Sequence, residues 1–261
     1  MFIIASNKVS FEQLSTLPTP APTPSHTPVA HSHLVTSARH AIGAAGFEIV
    51  QEQYATNRDG LRYFGGFALR GPDITSKERE LVLGLRNSHD KSFAAAICIG
   101  TSMMVCENLC FSSTVRLDRK HTSRIERDLP AVFSRAMGRL IPAWTEHGDR
   151  LERYKNTGID ERQAAHLVVT LAESGALGIR DILPTIREFR APRHPEFAGA
   201  TLFNLYNAAT EALKGSDLAK LPTRTQFIQT QFDGFAGNAE AALLTTGGNG
   251  EWLATDEIPF D

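Results

Sequence analysis

The chain reads as an α+β protein, an antiparallel β-meander of about five strands packed by helices, with a helical C-terminal half and a flexible acidic tail. Three observations predict this. Between residues 47 and 111, short apolar runs alternate with tight-turn residues, as neighbouring antiparallel strands do. From Phe111 onward the apolar spacing becomes helical and stays so. Strands come first and helices follow, which points away from a doubly wound α/β sheet.

The elements follow in order. Residues 1–30 are expected to be an extended arm, because Leu17 to Pro28 alternates Pro with Thr, Ala and Ser and cannot donate a regular hydrogen-bond ladder. A single α+β domain is expected over 31–244. It opens with a helix from His31 to Ala45, stopped by Gly46. Phe47 to Ala55 and Leu61 to Arg70 are strand-like and are joined by Asn57-Arg58-Asp59-Gly60, whose Asp-Gly pair suits a hairpin turn. Leu81 to Arg86, Phe93 to Ile99 and Met103 to Phe111 complete the meander, with Asn87-Ser88-His89-Asp90 as a turn and Gly100 as a break. Helices are expected near 119–155, 160–174, 179–189, 200–214 and 223–236. Pro130 and Pro142 argue that the first is kinked or is two helices in series. Residues 245–261 are Gly-rich and then acidic, the composition of a flexible tail.

Composition narrows the function classes. The net charge of −2 gives no global basic signature, so any affinity for nucleic acid must be local. Cys98, Cys106 and Cys110 are odd in number and form no C-x-x-C pair, which argues against a disulfide framework or zinc knuckle and for a reducing cytoplasm. The apolar run Met1 to Ser6 is too short for a secretory leader, and no membrane association is expected. There is no P-loop, nucleophile elbow, dinucleotide fingerprint or HExxH. No catalytic residue, cofactor or metal is assigned.

Three groups of residues could carry a function. In the segment from Lys120 to Leu140, Ile125, Leu129, Val132, Phe133, Ala136 and Leu140 form one apolar stripe. Lys120, Arg124, Arg127, Arg135 and Arg139 lie on the other side, and Arg116 extends the row if the helix starts early. Guanidinium groups on one exposed face can grip successive phosphates; equally, with Glu126 and Asp128 nearby, they can be a solvated face. The second group is Asn87, His89 and Asp90 at a hairpin tip, with Asn108 and His121 beyond it. Imidazole, carboxylate and amide groups could there bind a metal or phosphate, or simply make a polar turn. The third is the tail, Asp256-Glu257-Ile258-Pro259-Phe260, after the spacer Gly247 to Gly250.

That tail resembles the C-terminal tip of bacterial single-stranded-DNA-binding proteins, a likeness that implies docking to host repair or replication proteins. It departs from the pattern in that Asp261 follows Phe260. A wider resemblance begins with the Pro-rich arm and His31. It continues through Leu85-Arg86-Asn87-Ser88-His89-Asp90-Lys91-Ser92, Val105-Cys106-Glu107-Asn108 and Lys120-His121, and ends with Leu205-Tyr206-Asn207-Ala208-Ala209-Thr210-Glu211. In these motifs the chain resembles an uncharacterised phage/plasmid-like family known only as a domain of unknown function, which implies a mobile-element protein but supplies no activity. The order of a helix, a meander and a long helix across it also resembles, as architecture alone, the core of single-strand annealing proteins.

The expected function is therefore binding or annealing of single-stranded DNA without catalysis, with the tail docking to host DNA-metabolism proteins and self-association into an oligomer. Two alternatives stand beside it. One is an interaction protein that blocks a host defence, for which residues 191–261 offer nine acidic residues against four Lys or Arg. The other is a metal-dependent hydrolase or nuclease built on His89, Asp90, Asn108 and His121.

Overall fold

The computed structural model describes residues 7–71, 74, 76, 78–103, 109–214, 216 and 220–244; for 109–116 and 238–244 it describes the backbone alone. Six strands form one antiparallel sheet in sequence order: β1 (Lys8–Val9), β2 (Glu48–Thr56), β3 (Arg62–Arg70), β4 (Arg79–Ser88), β5 (Ala95–Met103) and β6 (Leu109–Arg119). The meander thus has one strand more than expected, because residues 8 and 9 pair with Ala55 and Tyr54 at the edge of β2. Residues 11–16, expected within an extended arm, form helix α1 (Phe11–Thr16) instead. Its capping box is reciprocal, with Ser10 accepting from the Gln13 amide and Gln13 accepting from the Ser10 amide.

Register places odd-numbered residues of the central strands on one face. Phe67 opposes Leu83 and Leu83 opposes Ile99. Helix α2 (His31–Ala44) covers this face with α3 (Ile125–Met137), burying Leu34, Val35, Ala38, Leu129, Val132 and Phe133 against it. Gly46 takes a positive φ of 80° and lets the chain turn back, so that the Phe47 amide donates to Ile42 at 3.1 Å and closes α2 with a Schellman motif. At the β2–β3 turn Gly60 has φ 67°, as the Asp-Gly pair requires.

A second core forms in the C-terminal half from α4 (Leu140–Asn156), α5 (Glu161–Glu173), α6 (Ile179–Arg190), α7 (Leu202–Ala212) and α8 (Leu221–Leu244), with Met103 and Cys98 of β5 packed on it. Buried Arg150 fastens α4 to α8. Its Nε donates to both Asp233 oxygens, at 2.9 and 3.2 Å, and Tyr154 donates to the same carboxylate at 2.8 Å. α7 is buried on all sides, its polar residues Asn204, Asn207 and Thr210 included.

Three boundaries differ from the sequence reading. The strand expected over 103–111 runs over 109–119, so Arg116 lies on β6 opposite Cys98 and not on a helix. The helix expected from 119 starts at Ile125 and stops at Met137. The break falls at Gly138–Arg139, while Pro130 sits inside α3 and Pro142 in the first turn of α4, where its missing N–H removes no helical bond. Asn87 and Ser88 belong to β4 because Tyr63 and Arg62 continue the ladder opposite them, so the turn begins only after Ser88.

Candidate functional site

Asn87 is fully buried on β4 and organises the polar residues around it. Its Nδ2 donates to the Val29 carbonyl at 2.8 Å and to His31 Nδ1 at 2.9 Å. Its Oδ1 accepts from His121 Nε2 at 2.6 Å. His89 Nε2 donates to the same Val29 carbonyl at 2.9 Å, and His31 Nε2 to Gly60 at 3.1 Å. Because an amide nitrogen only donates and a carbonyl only accepts, these bonds put a proton on Nε2 of all three rings and make His31, whose Nδ1 accepts, a neutral imidazole. The His31 and His89 rings stack with centroids 4.0 Å apart and planes 4° from parallel. His26 completes the cluster, its ring 4.9 Å from that of His121.

Burial first, and then the neighbouring imidazoles, lower the pKa of His31 and of His121 to about 4. Burial also lowers that of His89, against the opposing effect of its bond to Val29. His26 Nε2 and His89 Nδ1 are buried with no hydrogen-bond partner among the described residues. The cluster holds the Pro-rich arm in place: Val29 accepts two side-chain bonds, and the Thr27 amide donates to the His121 carbonyl at 2.8 Å.

The structure brings Asn87, His89 and His121 together in one hydrogen-bonded network with the arm. One nitrogen of each imidazole is committed to a carbonyl or amide oxygen, and among the described residues no three His, Cys, Asp or Glu side chains are placed to hold a metal ion. Asp90 turns away to Arg62, 2.6 Å distant, and to the Ser92 amide. Asn108 lies outside the described residues. His31 and His26 were missed as members of the cluster, since they come from an arm and a helix start with no fixed spacing to Asn87.

A second buried histidine, His147, also escaped the sequence reading. Arg79 donates to His147 Nδ1 at 3.2 Å and to the Trp144 carbonyl at 3.0 Å, and stacks 3.7 Å from the Trp144 ring centroid. Burial, then the charges of Arg79 and Arg150, push the His147 pKa down to about 3. Gly148 leaves room for this contact, since a Cβ there would force the Arg79 guanidinium to shift.

The cationic row lies at the β6–α3 connection and along α3. Lys120, Arg124, Arg127, Arg135 and Arg139 are all exposed. Lys120, Arg124, Arg135 and Arg139 make no ion pair among the described residues; Arg127 meets Asp128 at 3.2 Å and stays 69% exposed. Asp128 itself is held more closely by Arg119, at 2.5 Å. Arg124 occupies the N-cap position of α3, and Arg139 that of α4, without capping bonds from their side chains, so the row spans the helix break. The side chain of Arg116 is outside the description. On its inner side α3 faces α2 across an open groove of about 590 Å³, walled by Ser37, Ala41 and Ala44 on one helix and Pro130, Ser134 and Met137 on the other.

Residues 22–231 match the family model of a domain of unknown function, DUF932. The chain belongs to this family. No curated protein and no solved structure matches it. The DUF932 match begins within the Pro-rich arm and takes in the histidine cluster, the cationic row and α7. The tail Asp256, Glu257, Ile258, Pro259 and Phe260 lies beyond the DUF932 match and outside the described residues, and nothing else supports its likeness to the single-stranded-DNA-binding tip. No helix of this DUF932 protein is long and apolar enough, among the described residues, to cross a membrane.

Proposed function

We propose that the protein binds single-stranded DNA without catalytic turnover, as a mobile-element factor in a bacterial cytoplasm. The observation that supports this is the exposure of Lys120, Arg124, Arg135 and Arg139, four cations without ion pairs among the described residues, on one segment of a chain whose net charge is −2. A cluster that is neither neutralised nor buried costs self-repulsion. Phosphates relieve that repulsion and release counterions as they bind. The tail then recruits a host DNA-repair or replication protein, its carboxylates meeting basic rim residues and its apolar residues filling a pocket.

The test is the salt dependence of binding to a labelled oligothymidylate. Four phosphate contacts predict a slope of log K against log salt of roughly −3 for a single strand. Replacing Arg124, Arg135 and Arg139 by Gln should flatten it by about 2. Absence of binding at low salt, or a slope indifferent to the triple substitution, refutes the reading.

A second reading, an interaction protein that blocks a host defence, is favoured by α6, where Ile179 is 89% and Leu183 60% exposed one turn apart. Large apolar side chains left together on a surface commonly mark a protein interface. Capture of a host protein that Ile179→Glu abolishes, with DNA binding absent, would favour it.

A further inference from the structure

Three connections meet at one end of the sheet. The β2–β3 turn (57–61), the β4–β5 loop (89–94) and the β6–α3 link (120–124) lie side by side there, because antiparallel strands in sequence order return to the same end at every second connection. Each carries an exposed cation, Arg58, Lys91 and Lys120 in turn, and Arg124 follows at the start of α3. None of these four makes an ion pair among the described residues. The nearby carboxylates are engaged elsewhere, Asp90 with Arg62 at 2.6 Å and Asp118 with Arg86 at 3.2 Å. Asp59, beside Arg58, is the one acidic residue of these connections without an ion pair among the described residues.

We infer that Arg58 and Lys91 extend the cationic row across the loop end of the sheet, so that a nucleic-acid strand held at Arg124 and Lys120 crosses the hairpin tips with its phosphates on these two side chains; the inference rests on the proposed DNA-binding function.

The backbone of Lys91 is strained. It is the one non-glycine residue with a positive φ, 64°, among the described residues. A Cβ disfavours that region, and Gly or Asn takes it more easily. The loop nonetheless holds Lys91 there. The Ser92 amide donates to one Asp90 oxygen at 3.1 Å and Arg62 to the other at 2.6 Å. Ser88 Oγ accepts from the Phe93 amide at 3.2 Å and donates to the Phe93 carbonyl at 2.7 Å. Strain of this kind persists only where the surroundings over-determine it, and it gathers at ligand sites. An exposed lysine without an ion pair gives the fold nothing in return for it. What it offers is an ammonium group projecting from a braced loop, suited to a phosphate.

The buried histidine network sets the spacing of the cations. His31 bonds Gly60, two residues beyond Arg58; His89 precedes Lys91 by two residues, and His121 follows Lys120. Asn87 and the Val29 carbonyl link the three rings, so the three connections are fixed relative to one another. With neighbouring strands about 4.8 Å apart, the β2–β3 turn lies about 10 Å from the β4–β5 loop, and that loop about 7 Å from the end of β6. A line of charges fixed in advance spares a polyanion the entropy of ordering the loops. Continuity with Lys120 and Arg124 makes the occupant the same polyanion, since a phosphate backbone carries a charge at every repeat across both stretches.

The experiment is the salt titration of binding to a labelled oligothymidylate by the intact protein, Lys91→Gly, and Arg58→Gln combined with Lys91→Gln, with urea unfolding of each. Two further contacts steepen the intact slope to roughly −4, at about 0.7 per phosphate of a single strand. Lys91→Gly is expected to flatten it by about 0.7 and the double variant by about 1.4. The urea midpoint of Lys91→Gly should hold or rise, because Gly takes a positive φ without strain. An intact slope in the double variant overturns the inference, and the cationic row of α3 then stands alone if replacing Arg124, Arg135 and Arg139 still flattens the slope. A lowered midpoint for Lys91→Gly assigns that residue to the fold and overturns it too. A poly-glutamate peptide of equal charge that binds as tightly, and loses as much in the double variant, would assign the track to an acidic protein instead. If the intact protein does not bind oligothymidylate at low salt, the proposed function fails, and the track with it.

Discussion

Acid should loosen this protein well before its carboxylates titrate, and the reason is the Asn87 cluster. His31 and His121 titrate near 6.5 in an unfolded chain and at about 4 in the fold. A base whose pKa is lowered by folding binds its proton better when unfolded. The neutral cluster therefore gives its full stabilisation above about pH 6.5, and loses it as the pH falls toward 4. At pH 5 the loss is about 2 kcal/mol per histidine, or about 4 kcal/mol for the two. His147, at about 3 in the fold, adds a similar amount from the other half. Against a typical stability of about 5–15 kcal/mol this is a large fraction, and the His31–His121 share alone lowers the thermal midpoint by roughly 10 °C.

The structural cost is visible atom by atom. A proton on His31 Nδ1 would point at the Asn87 amide, whose two hydrogens are already committed. Rotating Asn87 to accept it would aim the amide at the donating His121 nitrogen. No single arrangement satisfies a protonated His31 and the rest of the network. The assay is urea unfolding between pH 5 and 7.5, beside His121→Gln, whose amide can replace the donation to Asn87. Between pH 5 and 6 the variant's stability should fall less steeply, by about 1 kcal/mol per pH unit. Equal slopes, or a flat curve for the intact protein, would refute the reasoning.

Two further outcomes follow from the same geometry, with stability as the readout. Asn87→Leu removes two donations and one acceptance at a fully buried position, and should cost about 3 kcal/mol or more in urea unfolding; a cost under about 1 kcal/mol would mean that the cluster does not pin the arm. Asp233→Ala strips buried Arg150 of its main carboxylate and Tyr154 of its acceptor, and should cost roughly 3 kcal/mol.

The candidate site was half legible. Asn87 and His89 could be named because they share one polar run at the end of a strand, and His121 because it follows the end of the meander. Their arrangement could not, since two of the four imidazoles come from residues 26 and 31, whose distance from Asn87 along the chain carries no periodic signal. Asn also favours tight turns, so the sequence argued for a loop where the facing strand imposes a ladder. The cationic row was legible as a helical face over Arg124, Arg127 and Arg135, but not at its ends. Arg116 could extend the row only if the helix began early, and β6 runs through it instead.

Local chemistry determined the elements themselves. Alternation produced the strands, Asp59-Gly60 the first hairpin and Gly46 the end of α2, because each acts through the conformational preferences of a few adjacent residues. Tertiary structure decided what required a partner distant in sequence. The strand opposite β4 set where that strand ends, the sheet face set which histidines became buried and neutral, and the meeting of α2 with α3 made an open groove. Backbone pairing, desolvation and packing depend on groups brought together only by the fold, and a linear pattern does not contain them.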